Sequence, residues 1–327
     1  MYDHPTLSQL DTIELAIGTH QFWFQTSTNG LGQPQQIPVI VFKGSENGKR
    51  VVVTAGLHGD ELNGILTAQQ LIRTLKSTPI EDIQGTIIVV PTINISGVLA
   101  HHRDFIPTDP DASPVNLNRL FPGDEKGNSA NRFVAQIWKN LLLPNADIAI
   151  DLHTQTTGAV YPLYIFADFR RPVALEMAKL MNPDCIYNDP GDAGVLETTW
   201  NENGIDAITV EVGMGRNTEK SLIERAHSGI VNILIQHQVL EGELTPATEA
   251  CFIGQKTETI RAEVGGFAIS QVELLQHVEQ GDLLSIQHDS FGSETARYYA
   301  PIAGQVLSYN CDSLREPGTL ITRLLIS

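Results

Sequence analysis

Between residues 49 and 240, short and nearly uninterrupted apolar runs alternate with segments of helical spacing, and this alternation constrains the chain more than any other feature. KRVVVTAG (49–56), GTIIVVPTIN (85–94), ADIAIDLHT (146–154), AVYPLYIFAD (159–168) and IDAITVEVG (205–213) read as buried strands. ELNGILTAQQLIRTLK (61–76), NRFVAQIWKNLLL (131–143), RPVALEMAKLM (171–181) and EKSLIERAHSGIVNILIQHQVL (219–240) read as helices. Strands that are apolar on both faces need cover on both faces. The expected fold is therefore a three-layer α/β/α sandwich around a mostly parallel or mixed sheet. Ligands of such sheets sit beyond the carboxyl ends of the strands, and the polar clusters of this chain fall there.

Two further β-rich pieces, TIELAIGTHQFWFQT and QIPVIVFKG, flank the turn-rich NGLGQPQ before this region. After it, ELTPATEA reads as a linker, and no convincing helix follows residue 251. Instead Gly266-FAI precedes VEQGDLLSI, and Gly304-QVL precedes REPGTLITR, a weak repeat that suggests a small pseudo-symmetric β-barrel or sandwich. It resembles the hammerhead fold of biotinyl and lipoyl domains, but no lysine follows Lys256 to carry such a cofactor. The expected division is a catalytic α/β domain at 1–245 and a small all-β domain at 246–327.

Thirty-eight acids against 21 bases give a formal charge of −17, which disfavours nucleic acid and anionic membranes as partners. No apolar run approaches the ~18 residues of a membrane span, and the N-terminal stretch has no basic and apolar signal pattern. Three widely spaced cysteines, Cys185, Cys251 and Cys311, fit free thiols in a reducing compartment. A cytoplasmic protein is the expectation, with the oligomeric state, a homo-oligomer included, left open.

His58 and Glu61 form an HxxE pair where a strand meets a helix, so both side chains are able to face one metal ion. Taken alone the pair is weak, because Glu61 equally suits a helix N-terminus. His153 ends another strand, with Asp151 two residues back on the same face as a partner for its second ring nitrogen. Two histidines and a carboxylate leave a fourth position open, the composition of a catalytic zinc site. Asn118 and Arg119 lie in the turn-rich PVNLNRLFPG, where an Arg is either a surface residue or a bidentate carboxylate partner. Arg103, in HHRDF, has the chemistry to polarise a carbonyl oxygen, while His101 and His102 beside it read mainly as exposed. Glu211 ends an apolar strand and suits a general base and acid next to a metal.

In order and spacing, HGDE (58–61), a loop with NR (118–119), DLH (151–153) and EVG (211–213) resemble the succinylglutamate desuccinylase/aspartoacylase family, a branch of the zinc-carboxypeptidase-like fold. The resemblance covers roughly residues 45 to 245. It implies one zinc ion per chain on His58, Glu61 and His153, with Asp151 behind His153. It implies Arg103 stabilising an oxyanion, Asn118 and Arg119 holding a substrate carboxylate, and Glu211 as general base and acid. The implied activity is hydrolysis of a small N-acyl amino acid by a metal-activated water. The rival readings are a zinc carboxypeptidase acting on short peptides and a non-catalytic zinc-containing binding protein. Aspartoacylase has an Asp where this chain has Asn116, which bears on the substrate. A tyrosine of its C-terminal domain reaches the substrate, a role open here to Tyr298 or Tyr299. Arg216, Arg170 and Arg171 are further cations read mainly as surface residues.

Overall fold

The computed structural model describes residues 4–45, 47–247 and 250–327. Part of the N-terminal stretch and part of the ELTPATEA linker lie outside the described residues.

In chain order the first part comprises β1 (Thr6–Leu7), β2 (Gly18–Thr28), β3 (Pro34–Lys43), β4 (Arg50–Ala55), α1 (Leu62–Ser77), β5 (Thr86–Val90), α2 (Ile95–Ala100), α3 (Ser129–Ile137) and β6 (Ile148–Gln155). Then follow β7 (Ala159–Val160), β8 (Leu163–Ala167), α4 (Pro172–Leu180), β9 (Cys185–Asn188), α5 (Leu196–Glu202), β10 (Asp206–Met214), α6 (Lys220–Gln236) and β11 (Phe252–Gly254). All these strands but β7 form one sheet in the order β1-β2-β3-β5-β4-β6-β10-β8-β9-β11. Its centre, β5-β4-β6-β10, is parallel, while β3 joins β5 and β8 joins β10 antiparallel, so the sheet is mixed.

The valine run shows why the sequence chooses this architecture. Val51 and Val53 pack with Leu71 of α1 and Ile230 of α6 on one face, and Val52 packs with Phe133 of α3 and Trp200 of α5 on the other. Alternation along a strand thus feeds two cores, one under each helical layer. Fully burying one such side chain stabilises the fold by about 1.5–3 kcal/mol, and Val51, Val52 and Val53 are all fully buried. The strands β1, β9 and β11 and the helices α2 and α5 escape the sequence reading. The short helices α2 and α5 carry too few turns to show a period, and α2 depends on Asn94, whose side chain caps it by accepting from the Gly97 amide.

The remaining strands are β12 (Lys256–Arg261), β13 (Gly266–Ser270), β14 (His277–Val278), β15 (Leu283–His288), β16 (Glu294–Tyr299), β17 (Gly304–Asn310), β18 (Leu314–Arg315) and β19 (Leu320–Ile326). They form two separate sheets, β12-β19-β17-β14 and β16-β15-β13-β18, whose pairings are antiparallel. The sequence repeat has a structural counterpart: β13 pairs with β15 in one sheet and β17 with β19 in the other. The connections cross between the two parts. β11 extends the large sheet beside β9, and β7 pairs with β17.

Candidate active site

α1 begins with Glu61 at its N-cap position, yet the Glu61 side chain caps nothing. It turns away from the helix instead. Its Oε2 accepts from the Thr154 amide at 3.0 Å and lies 2.8 Å from His153 Nδ1, while Oε1 lies 2.9 Å from His58 Nδ1. Two glycines make that convergence sterically accessible. A Cβ on Gly59 would sit 2.1 Å from the Gly97 carbonyl carbon of α2, and one on Gly64 would sit 2.7 Å from the Leu152 carbonyl oxygen. Only glycine lets the HGDE turn press on α2 and lets α1 press on the strand that carries His153.

The two histidines are oriented from behind. His153 Nε2 lies 2.7 Å from Asp151 Oδ2, and Asp151 Oδ1 accepts from the Thr54 hydroxyl at 2.6 Å. His58 Nε2 lies 2.9 Å from Asn116 Oδ1, an oxygen that also accepts from the Asn118 amide at 2.8 Å. Because both partners are acceptors, each Nε2 is placed to donate its hydrogen backwards, which would leave both Nδ1 lone pairs free for a cation held with Glu61. His58, Glu61 and His153 are all buried, and one donor atom from each lies within 4.8 Å of the others. Two neutral imidazoles and a carboxylate at this spacing fit one divalent cation.

Charges here are strongly perturbed. Burial pushes the Glu61 carboxyl up, but the facing His58 and His153 outweigh it and hold it well below its ordinary value. Burial pushes His153 down, but Asp151 and Glu61 outweigh it and raise it well above. Glu211 behaves differently. Burial first, and the Glu61 charge second, push its carboxyl up. It stands directly beside His153, since β10 and β6 run parallel with Glu211 and His153 in register. Its Oε1 accepts from Gln155 Nε2 at 2.9 Å, and Gln155 also contacts the Tyr164 hydroxyl. Its Oε2 is buried and has no hydrogen-bond partner.

These groups share a cavity of about 320 Å³, into which His58, His153, Glu211, Arg103, Asn118 and Arg119 all project. Arg103 reaches Glu61 Oε1 directly. Asn118 is buried, and its Oδ1 accepts from the Leu196 amide at 2.8 Å. The structure thus brings His58, Glu61, His153, Glu211, Arg103, Asn118 and Arg119 to one place, with Asp151 one step behind. The additional arginines lie elsewhere. Arg170 pairs with Asp168 and Arg171 with Asp206, both at 2.8 Å, and Arg216 lies 3.9 Å from Asp60 while contacting the His101 carbonyl. Neither tyrosine lines the cavity: Tyr298 is buried against Gln287 and Glu263, and Tyr299 is exposed. Arg323 of β19 lines it instead, as do Glu197, Thr209, Phe166 and Tyr187. Thr209 had a local signal, two residues before Glu211 on β10 and so on the same face, whereas Arg323 and Glu197 reach the cavity only through packing between distant segments. A larger cleft of about 400 Å³, lined by Trp23, Ile37, Leu99 and Phe105, holds no comparable set of charged groups.

Known proteins share this sequence pattern and this fold. Residues 47–236 match the model of the succinylglutamate desuccinylase/aspartoacylase catalytic domain. The N-alpha-acetyl-L-2,4-diaminobutyric acid deacetylase of Halomonas elongata is 31% identical over 273 residues, which span 80% of this chain and 76% of the relative. The product-bound ectoine utilization protein EutE (DoeB) from Ruegeria pomeroyi superposes with a TM-score of 0.85 at 24% identity, covering 100% of both chains. A succinylglutamate desuccinylase from Silicibacter sp. TM1040 superposes with a TM-score of 0.81 at 22% identity, covering 100% of this chain and 99% of the other. By the match to its catalytic domain and the relative that shares most of its length, the chain belongs to the succinylglutamate desuccinylase/aspartoacylase family.

Proposed function

We propose that this protein is a zinc-dependent hydrolase that deacylates a small N-acyl amino acid. The observation that carries the reading is the union, in one polar cavity, of the His58–Glu61–His153 set with Glu211, whose buried Oε2 has no partner in the protein. The named activity of the Halomonas relative, deacetylation of an N-acetylated diamino acid, supports it.

Zinc held by His58 Nδ1, His153 Nδ1 and Glu61 would supply Lewis acidity, polarising the amide carbonyl and easing ionisation of water. The protein's own groups supply the rest. Asp151 and Asn116 fix the two imidazoles so that their lone pairs converge. Glu211, held at Oε1 by Gln155, takes a proton from the attacking water at Oε2. The C–O bond forms, the amide C–N bond breaks, and Glu211 returns the proton to the departing amine. Burial favours the protonated carboxyl between these steps, as a group that must both accept and donate requires. Arg103, beside Glu61, is placed to hydrogen-bond the carbonyl oxygen as it gains charge. Arg119, in the same cavity, offers its guanidinium to the substrate carboxylate. The products are a free amino compound and a small carboxylic acid.

Assaying the zinc-loaded protein on N-acyl amino acids and on short peptides tests the proposal. Turnover of the N-acyl amino acids is expected, with peptides cleaved slowly or not at all. Preferential peptide cleavage would make it a carboxypeptidase, and no hydrolysis across a broad amide panel would make it a binding protein.

A further inference from the structure

The cavity holds more acid than the deacylation chemistry uses. Glu197 is 4% exposed, yet it lines the cavity together with Thr209, Asp189 and Asp192. Its hydrogen-bond partners are neutral, the Thr209 hydroxyl and, at 3.5 Å, the Asn201 amide. Among the described residues it takes part in no ion pair. The charges that bear on it most, Asp189, Asp151 and Asp168, are acids as well. A buried carboxylate is strongly disfavoured without a cation, and no cation among the described residues pairs with this one. The wall of a ligand cavity is where the ligand itself is able to bring one.

The position suits a short substrate. Thr209, against which Glu197 rests, precedes Glu211 by two residues on β10, and both side chains face the cavity. Two residues along a strand span about 6.6 Å. A group at Glu197 therefore lies within reach of a short aliphatic chain whose amide is held at Glu211. That a ligand belongs in this cavity has a separate sign, the buried and unpartnered Oε2 of Glu211, a residue only 6% exposed. Arg119 and Arg323 line the same space, so it offers cations for a carboxylate and an unpaired acid for an amine.

We propose that Glu197, flanked by Thr209 and Asp189, is a subsite for a substrate ammonium group. The N-acyl amino acid taken by this chain then carries a second, unacylated amine on a short side chain. The proposal rests on the deacylase reading and deepens it. Burial holds the Glu197 carboxyl well above its ordinary range in the free protein, and an arriving ammonium restores the ionised form.

Three N-acetyl substrates of similar length test it: Nα-acetyl-2,4-diaminobutyrate with an ammonium, N-acetylnorvaline with a neutral side chain, and N-acetylglutamate with a second carboxylate. The wild-type protein is expected to prefer them in that order. Glu197→Gln keeps the shape and is expected to lower kcat/KM for the cationic substrate about 10²-fold, mostly through KM, because a buried group loses its charge partner. The neutral substrate is expected to change less than about 3-fold, and Glu197→Asp to keep the preference for the cation. Wild-type hydrolysis combined with an equal loss on all three substrates in Glu197→Gln, or with no loss, overturns the subsite while leaving the deacylase reading intact. If the zinc-loaded wild type hydrolyses none of them, the deacylase reading fails, and calorimetry with free 2,4-diaminobutyrate still decides the subsite. Weaker binding to Glu197→Gln than to wild type supports it, and indistinguishable titrations overturn it.

Discussion

His58 Nε2 lies 2.9 Å from the side-chain oxygen of Asn116, and this contact turns His58 Nδ1 toward Glu61 and His153. Position 116, where aspartoacylase has an Asp, therefore bears on the metal side of the cavity as well as on the loop that carries Arg119. An acceptor behind a ligating histidine fixes its tautomer and its ring plane. Asn116→Ala is expected to weaken zinc binding roughly 10–100-fold, and Asn116→Asp, which keeps an acceptor, to retain it. Competition with a chromophoric chelator measures both, and unchanged affinity in Asn116→Ala would show that the ring is held by other contacts.

Glu211→Gln removes the proton acceptor but keeps the oxygen that receives the Gln155 amide. Turnover is expected to fall roughly 10²–10⁴-fold with zinc content unchanged. A variant that purifies without zinc would instead make Glu211 a metal ligand.

Arg119 is expected to recognise charge. Replacing it by Ala should weaken substrates with a free carboxylate by one to two orders of magnitude while barely affecting their methyl esters. Equal losses on acids and esters, read as kcat/KM, would remove Arg119 from that role.

Glu197 has a signature in stability as well. Burial raises its folded-state pKa above the ordinary carboxyl value of 4.5, so the folded protein binds this proton more tightly than the unfolded chain does. The resulting contribution to stability is complete below that ordinary value and is lost as pH rises toward the raised one. In thermal melts of ligand-free protein, Glu197→Gln should therefore gain on wild type progressively as pH increases from about 4.5. A difference in Tm that stays constant with pH would mean that Glu197 keeps its proton equally in both states.

Much of this site was legible because its chemistry sits at the ends of apolar strands. Val51–Val53 announce a strand buried on both faces, so the His58 and Glu61 that follow it must lie at the sheet edge. DLH and EVG gain meaning in the same way, and the register of Glu211 with His153 completes it. Glu197 and Arg323 were not legible as site residues, nor was the contact of Asn116 with His58. Their partners are distant in sequence, and α5 is too short to show a helical period. The tyrosine pair shows the limit of analogy most plainly. The sequence draws attention to Tyr298 and Tyr299, but strand alternation buries the first against Gln287 and turns the second outward, and the residue that lines the cavity from this part of the chain is Arg323. Strands also cross the expected boundary at 245/246: β11 joins the large sheet and β7 joins β17 of the β12-β19-β17-β14 sheet, because pairing follows free strand edges and not chain order.

The central proposal is that His58, Glu61 and His153 hold the one metal on which hydrolysis depends. Metal content by plasma emission spectrometry, measured on the same samples as hydrolysis of the N-acyl amino acid panel, tests it most directly. One zinc per chain is expected, with activity lost on chelation, restored by zinc, and absent from a His58→Ala, His153→Ala double variant that no longer binds the metal. Full hydrolysis by metal-free protein, or one zinc per chain retained by the double variant, would contradict it.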